Sequence, residues 1–355
     1  MKRLDLYLGK AVLSATLLVW LLVSALDGLL VLLGQLADIS RGDYGLADAA
    51  LFVLLGLPIR AWQAFPVALL IGAVLGLGNL AAQWELNAFR LAGCSVLRLT
   101  LAVMYAGVLL LAGALLLGEG WAPHGQQIAQ QLRSQAIYQD VSVQRDAGFW
   151  VRDGRRFIQV GRSEADGSLG QVNVYQLSTT KGLERVTAAG SARPQNGHWL
   201  LEDVSVSRFL KQHIEVGHRA EVQWQKLMDR RLAQLLTRDA GTLSLPELHE
   251  YIDYLQSNGS DVSAYRLSYW QRLGAPLSAL TMLLLAVVLV LGPLERLTLG
   301  QRLLVAVLAG LGFKLLGGIV AHAGLVYGMS PLWSAFLPSL AVLVSIAVVA
   351  LKYRL

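Results

Sequence analysis

The chain has 355 residues, 55% of them apolar and only 15% charged, against about 25% charged in a soluble protein. Its mean hydropathy is +0.50, which excludes a disordered, fibrous or nucleic-acid-coating protein and points to a membrane protein. The net charge is +6, yet residues 124–261 hold 16 basic and 16 acidic side chains, so the whole excess belongs to the apolar flanks.

A helix crossing a bilayer needs about 20 mostly apolar residues. In chain order, six stretches qualify: Leu8 to Leu36, Phe65 to Ala82, Leu97 to Leu117, Tyr265 to Leu291, Leu303 to Val326 and Leu332 to Leu351. The first follows Met1-Lys2-Arg3 but is too long for a signal-peptide core and lacks a cleavage pattern, so it reads as a retained helix. An apolar approach to the second, Ala47 to Leu57, is broken by Pro58 and reads as an interfacial or re-entrant stretch with Arg60 and Trp62.

Six spans put both termini on one side. That side carries Lys2, Arg3, Lys10, Arg90, Arg98, Arg296, Arg302, Lys352 and Arg354 against Asp5, Glu85 and Glu295, and this accounts for the whole +6. Basic residues near helix ends mark the cytoplasm. The termini are therefore expected inside and the neutral central region outside.

That region changes character along its length. Gln127, Gln131 and Arg133 alternate with Ile128, Leu132 and Ile137 as a helical extension of the third span. The period then becomes two in 149–151, 156–160, 172–175, 199–201 and 204–206, with Asp153-Gly154, Asp166-Gly167 and Asn196-Gly197 as turn signals. Short antiparallel strands without cysteines predict a small sandwich or jellyroll. A helix from Leu243 to Leu255, opened by Ser244 and Pro246, leads back to the membrane. The expected architecture is an α+β membrane protein with six transmembrane helices and an inserted antiparallel β-jellyroll. Its parts are 1–138 (three spans with a helical extension), 139–243 (jellyroll) and 244–355 (connecting helix and three spans).

Several chemistries lack their residues. The lone Cys94 offers neither a disulfide nor a metal cluster. Gly9-Lys10 has neither the earlier glycine nor the following hydroxyl of a phosphate-binding loop. His249-Glu250 has no second histidine at zinc-protease spacing, and Ser95 lacks the second glycine of a nucleophile elbow. No cofactor is expected in this chain, and it reads as a non-enzyme.

Among ionisable residues, Lys314 stands near the middle of the fifth span, where a charge costs at least about 2.5 kcal/mol. It shares a face with Gly310, Gly317, Gly318, Ala321 and His322. Either it snorkels or pairs across a close helix contact, or it marks a cationic spot in a cavity for an anionic amphiphile. Asp27 falls near the outer interface, where a solvated or capped carboxylate is favoured over a proton relay. The short segment between spans two and three places Leu86, Phe89, Arg90 and Gly93 at helical spacing, with Glu85 at the helix start. It reads as an interfacial connector or as a coupling helix seated in a cleft of a separate ATPase.

A series of blocks resembles the paired permeases of the lipopolysaccharide exporter, the LptF/LptG family, with the LptG-type half favoured. They are 42–44, 65–73 with 75–78, Glu85-Leu86 with Ala92-Gly93, 118–123, Gly292-Pro293-Leu294, and 325–328 before 337–339. The resemblance implies a six-helix permease half with a periplasmic jellyroll in the bacterial inner membrane. It further implies a heterodimer with LptF on a dimer of the ATPase LptB, which binds ATP and Mg, and handover of lipopolysaccharide to LptC and through it to LptA. By position, Glu85, Leu86, Phe89, Arg90 and Gly93 would contact LptB, and the first and fifth spans, with Leu29, Leu33, Leu311 and Leu315, would line the lipid cavity. Arg133 matches an arginine assigned to the anionic head group. Basic positions of the better-known relatives fall here on Val31, Ala37, Asp38 and Gln130, while Lys314 replaces an aromatic residue, so head-group contacts are expected to be relocated. Competing readings are an LptF-type partner, a mechanotransmission permease that moves no lipid through its own spans, and a membrane enzyme acting on lipid A.

Overall fold

The computed structural model describes residues 2–39, 41–137, 149–153, 155–163, 168–178, 182–195, 198–210, 213–224, 243–257, 261–293 and 297–353. The chain forms two compact units: Met1–Ser40, Tyr44–Arg133 and Ser263–Leu355 in one, Arg41–Asp43 and Ser134–Val262 in the other. Among the described residues, six helices are long and apolar enough to cross a membrane. With a jellyroll-like antiparallel sheet inserted after the third, the protein is an α+β membrane protein.

Helix α1 spans Lys2–Gln35 and ends in a short 3-10 turn, Leu36–Asp38. Helix α2 spans Leu46–Ala82, and here the sequence reading needs correction. The approach segment and the second span are one continuous helix of 37 residues with Pro58 and Pro66 inside it. Each proline removes one helical donor, but neighbouring groups in a helix bundle compensate such losses. Between the two prolines, the Trp20 indole N–H donates to the Ala61 carbonyl at 2.7 Å, and Trp20 meets Phe65 edge to face. Glycines on α2 let α1 approach closely: a Cβ at Gly72 would lie 2.7 Å from Thr16 Oγ1, and one at Gly76 would lie 2.8 Å from the Ala11 carbonyl oxygen.

After a short helix α3 (Glu85–Leu91), α4 runs from Val96 to Leu115, its start capped by Ser95 Oγ accepting from the Arg98 N–H at 3.3 Å. A π-helical segment, Leu116–Trp121, follows and joins α5 (Ala122–Ile137) without a break. It seats Gly118 flat on Trp62, where a Cβ would lie 2.5 Å from the ring's Cγ. Among the described residues, the later helices are α6 (Leu245–Ser257), α7 (Ser263–Leu291), α8 (Leu299–Val326) and α9 (Pro331–Tyr353).

Helix α2 is the axle of the membrane unit and packs on α1, α7 and α8. Around it the neighbours run α1 to α4, α4 to α7, α7 to α9 and α9 to α8, whereas α1 and α8 make no substantial contact with each other. The bundle is thus an arc, open between α1 and α8. Its core comprises Leu8, Val12, Phe65, Leu69, Leu70, Leu77, Met282, Leu283 and Val287 with their neighbours.

In the second unit, strands β1 (Phe149–Asp153), β2 (Arg156–Ser163), β3 (Leu169–Leu177), β4 (Leu183–Gln195), β5 (His198–Phe209) and β6 (Ile214–Trp224) form one antiparallel sheet in sequence order. One face buries Ile158, Val160, Val172, Val174, Ala189, Leu201 and Val204. The sequence reading found β1, β2 and β3, split β5 in two, and missed β4 and β6. The split falls at Glu202-Asp203, where Asp203 adopts φ +55° and the strand continues. Strand β4 packs with small residues, Ala189 and Ala192, and β6 is almost wholly exposed, so neither carries a clear alternating apolar pattern. Gly154, Asp166-Gly167 and Asn196-Gly197 lie outside the described residues.

Helix α6 opens with Ser244, whose N–H and hydroxyl both donate to Glu247 Oε2 at 2.8 Å. Its Tyr254 packs against the sheet core. Within the same unit, Gly42 sits at φ +61° because any Cβ there would collide with the carbonyl oxygens of Ala136 and Ile137. That close approach lets the Asp43 N–H donate to the Ala136 carbonyl at 2.8 Å.

Candidate functional site

Three places in the membrane unit carry the residues singled out by the sequence. At one end of the bundle, α3 is set between two left-handed residues, Trp84 at φ +62° and Gly93 at φ +85°. Leu86 is buried to 3% exposure in the chain's own core and Phe89 packs partly against it. The surface left open to another protein is Trp84 (73% exposed), Leu91 (90%), Arg90 and Gly93. Leu86 and Phe89 therefore fix the helix to the bundle, while Arg90 and Gly93 face outward. A cleft of about 510 Å³ opens beside them, lined by Ala81, Trp84, Leu86, Asn87, Arg90, Val290 and Leu291. Glu85 is within hydrogen-bonding reach of the Tyr7 hydroxyl. The same end is braced by Asp5–Arg98 at 3.3 Å and by buried Arg302, whose Nη1 donates to the Gly78 carbonyl at 3.0 Å.

At the opposite end, α1, α2 and α5 converge. Phe52, Val53 and Ala129 form a small core with Val31, Leu32 and Leu55. Arg133 donates from Nη2 to Asp38 Oδ2 at 2.6 Å and from Nε to Gln35 Oε1 at 2.9 Å. Its guanidinium carbon lies 5.7 Å from the Phe52 ring centre, and that of Arg60 lies 5.9 Å from the same centre. Tyr44, 1% exposed, donates its hydroxyl to Gln35 Oε1 at 3.2 Å. Burial raises the Tyr44 pKa above its ordinary value; the nearby Arg133 charge opposes this, and Asp38 and Asp48 add to it. Arg60 Nη1 and Gln126 Oε1 are both buried and without a hydrogen-bond partner.

The third place is the uncovered apolar surface of α1 and α8. In their most apolar stretches only 17% and 11% of residues are buried, against 61% in α2. Leu29, Leu33, Leu311 and Leu315 are each more than half exposed. Lys314 is exposed on α8 and has no ion pair or hydrogen bond among the described residues. Gly310 packs on Val67, but Gly317 and Gly318 have open space where a Cβ would stand, so no close helix contact among the described residues covers the lysine's face.

Residues 6–352 match the family described as lipopolysaccharide export system permease LptF/LptG. The chain belongs to this family. The lipopolysaccharide export system permease protein LptG of Escherichia coli (strain K12) is 31% identical over 339 residues, covering 95% of this chain and 94% of that protein. LptG of Haemophilus influenzae (strain ATCC 51907 / DSM 11121 / KW20 / Rd) is 29% identical over 346 residues, covering 97% and 96%. With its six apolar helices, the chain is a multi-pass inner-membrane permease of lipopolysaccharide export.

The structure brings Arg133 together with Gln35, Phe52 and Gln126, which sequence reasoning passed over, and with Tyr44 and Arg60, which it had named in other settings. Phe52, Gly56 and Arg60 are spaced by four, one face of a helix. Reading a break at Pro58 hid that face. Lys314 belongs to a separate place, on α8.

Proposed function

We propose that the chain is the LptG-type half of the export permease. It pairs with an LptF-type partner on two LptB ATPase subunits, takes lipopolysaccharide from the outer leaflet of the inner membrane and delivers it toward LptC and LptA. The observation that carries this reading is the arc of helices around α2, open between α1 and α8, whose flanking faces are apolar and uncovered. Closed by a second permease half, such an arc becomes an apolar cavity that takes acyl chains, with Arg133 at one end for the phosphorylated head group and Lys314 on its wall.

In this reading the termini are cytoplasmic and the sheet domain periplasmic, as the excess of basic residues near the termini favours. The outward face of α3, with Glu85 at its start, meets LptB, which binds ATP and Mg. On ATP-driven closure, α3 moves with α2, the two permease halves approach and the cavity shrinks. In the sheet, β1 and β6 each have one edge unpaired among the described strands, a template for strand addition by a bridging domain of like fold.

The test is purification of the full chain with an LptF-type permease and LptB, followed by mass spectrometry of retained lipid and ATPase assay with added lipopolysaccharide. Retained lipopolysaccharide and stimulated hydrolysis are expected. A stable complex that carries no lipid and hydrolyses ATP without regard to lipopolysaccharide overturns the reading in favour of a mechanotransmission permease.

A further inference from the structure

The outer cluster holds two guanidinium groups on one phenylalanine ring, and they are not equivalent. Arg133 is neutralised: Asp38 takes Nη2 at 2.6 Å and Gln35 takes Nε at 2.9 Å. Arg60 has no carboxylate in ion-pair range among the described residues, and its guanidinium carbon lies 5.9 Å from the Phe52 ring centre. Its Nη1 is buried with no acceptor, and the Gln126 Oε1 facing the same Gly56 is buried with no donor. A helical side chain leans toward the N-terminal end of its helix, which carries the Arg60 head back from its own turn toward Phe52 and the Arg133 end of α2. The uncompensated positive charge of the cluster is therefore at Arg60.

We propose that Arg60 is the phosphate-receiving cation of this cluster, and that Asp38 holds Arg133 in reserve until an anion bound at Arg60 competes for it. The ligand is the phosphate of an anionic lipid head group. A guanidinium presents a planar fork of donors that fits a phosphate, and the site lies among apolar spans. Gly56 supplies the room: a Cβ there would lie 2.9 Å from Gln126 Oε1 and 3.7 Å from Arg60 Nη2. The proposal rests on the head-group reading of Arg133 given above and deepens it by changing which arginine leads.

The experiment uses the full complex in nanodiscs and measures binding of bisphosphorylated lipid A, of its dephosphorylated form, and of the first in competition with millimolar inorganic phosphate. Arg60→Gln is expected to weaken binding of bisphosphorylated lipid A by about ten-fold or more and to leave the dephosphorylated form unchanged. Arg60→Lys, which keeps the charge but loses the fork, should bind between wild type and Arg60→Gln, which separates loss of charge from loss of fold. Asp38→Asn, which frees Arg133, should tighten binding several-fold. If Arg60→Gln binds as wild type while Arg133→Gln does not, the proposal fails and the broader head-group reading stands. If wild type does not discriminate the two lipid A forms, the head-group reading itself fails. Displacement by inorganic phosphate at millimolar concentration overturns the lipid source in favour of free phosphate.

Discussion

Lys314 gives the sharpest test of the open arc. Helix α8 runs from Leu299 to Val326, so at 1.5 Å per residue the lysine stands about 18 Å from one end and about 22 Å from the other. A four-carbon stem covers only a fraction of either distance, so snorkelling does not remove the charge from the span. With no partner among the described residues, the charge costs the isolated chain about 2.5 kcal/mol or more. Replacing it by leucine removes that cost and should stabilise the isolated chain by about that amount, read as a shift in detergent-induced unfolding. In the assembled complex the sign reverses if the lysine meets an anion: losing a charged hydrogen bond of about 1.5 to 3 kcal/mol weakens lipopolysaccharide binding roughly ten-fold or more. The paired assay is unfolding of the lone chain beside lipopolysaccharide-stimulated ATPase activity and lipid binding of the complex. A Lys314→Leu variant that is more stable yet binds and responds to lipopolysaccharide as wild type refutes the anion-binding role.

Other expectations follow from packing. Gly72→Ala should destabilise the membrane unit by about 1 to 3 kcal/mol through overpacking, because the new Cβ meets the backbone and side chain of Thr16; the same change at Gly318, where nothing lies within 4 Å, should be close to neutral, and equal effects at both sites in an unfolding titration would sink this account. Leu86→Ala, at a residue of α3 that is 3% exposed, should cost about 2 to 5 kcal/mol and loosen the seat of that helix. Its signature is a fall in lipid exported per ATP hydrolysed, and an unchanged ratio together with unchanged stability would contradict it. Tyr44 should titrate late: its neutral form is favoured in the folded chain, chiefly by burial, so its contribution to stability is intact below about pH 10 and is lost as pH rises through the raised folded value. An alkaline absorbance titration of wild type against Tyr44→Phe should show one late-ionising tyrosine missing from the variant.

The spans were legible because a bilayer demands long apolar runs, and neither bundle packing nor sequence detail obscures a run of that length. The break assigned at Pro58 was not sound, because the rule that proline ends a helix comes from helices whose freed carbonyls can turn to water. Inside α2 the helix is held on both sides of Pro58 by packing on α1, and the Trp20 to Ala61 hydrogen bond pins the stretch between the two prolines. Strands β4 and β6 escaped for different reasons. One buries alanines, which carry little apolar signal, and the other buries almost nothing and is held by its pairing with β5 from Trp199 to Phe209. Arg133 was singled out through family resemblance alone, and its ion pair with Asp38 was not legible, since residues 95 apart in sequence meet only after α1, α2 and α5 converge.

The merging of approach and span into one helix also changes how the two ends of the membrane unit are connected. Helix α2 carries Phe52, Gly56 and Arg60 near its start and leads into α3 through Trp84 at its end. Between these it packs on both flanks of the opening: on α1 at Gly72 and Gly76, and on α8 at Gly310, whose Cβ would lie 2.8 Å from Val67 Cγ1. Arg302 fastens the first turn of α8 to the last turns of α2 through the Gly78 carbonyl. Two separate elements, a re-entrant stretch and a short span, would let the head-group end move independently of the coupling end. A single close-packed helix does not, because interiors at this density transmit displacement rather than absorb it. If an ATPase pushes on α3 as proposed, the push would reach α1, α8 and the Arg60 cluster through one body, and Arg302→Met is the change that should release α8 from it, lowering lipid movement per ATP while leaving hydrolysis in place.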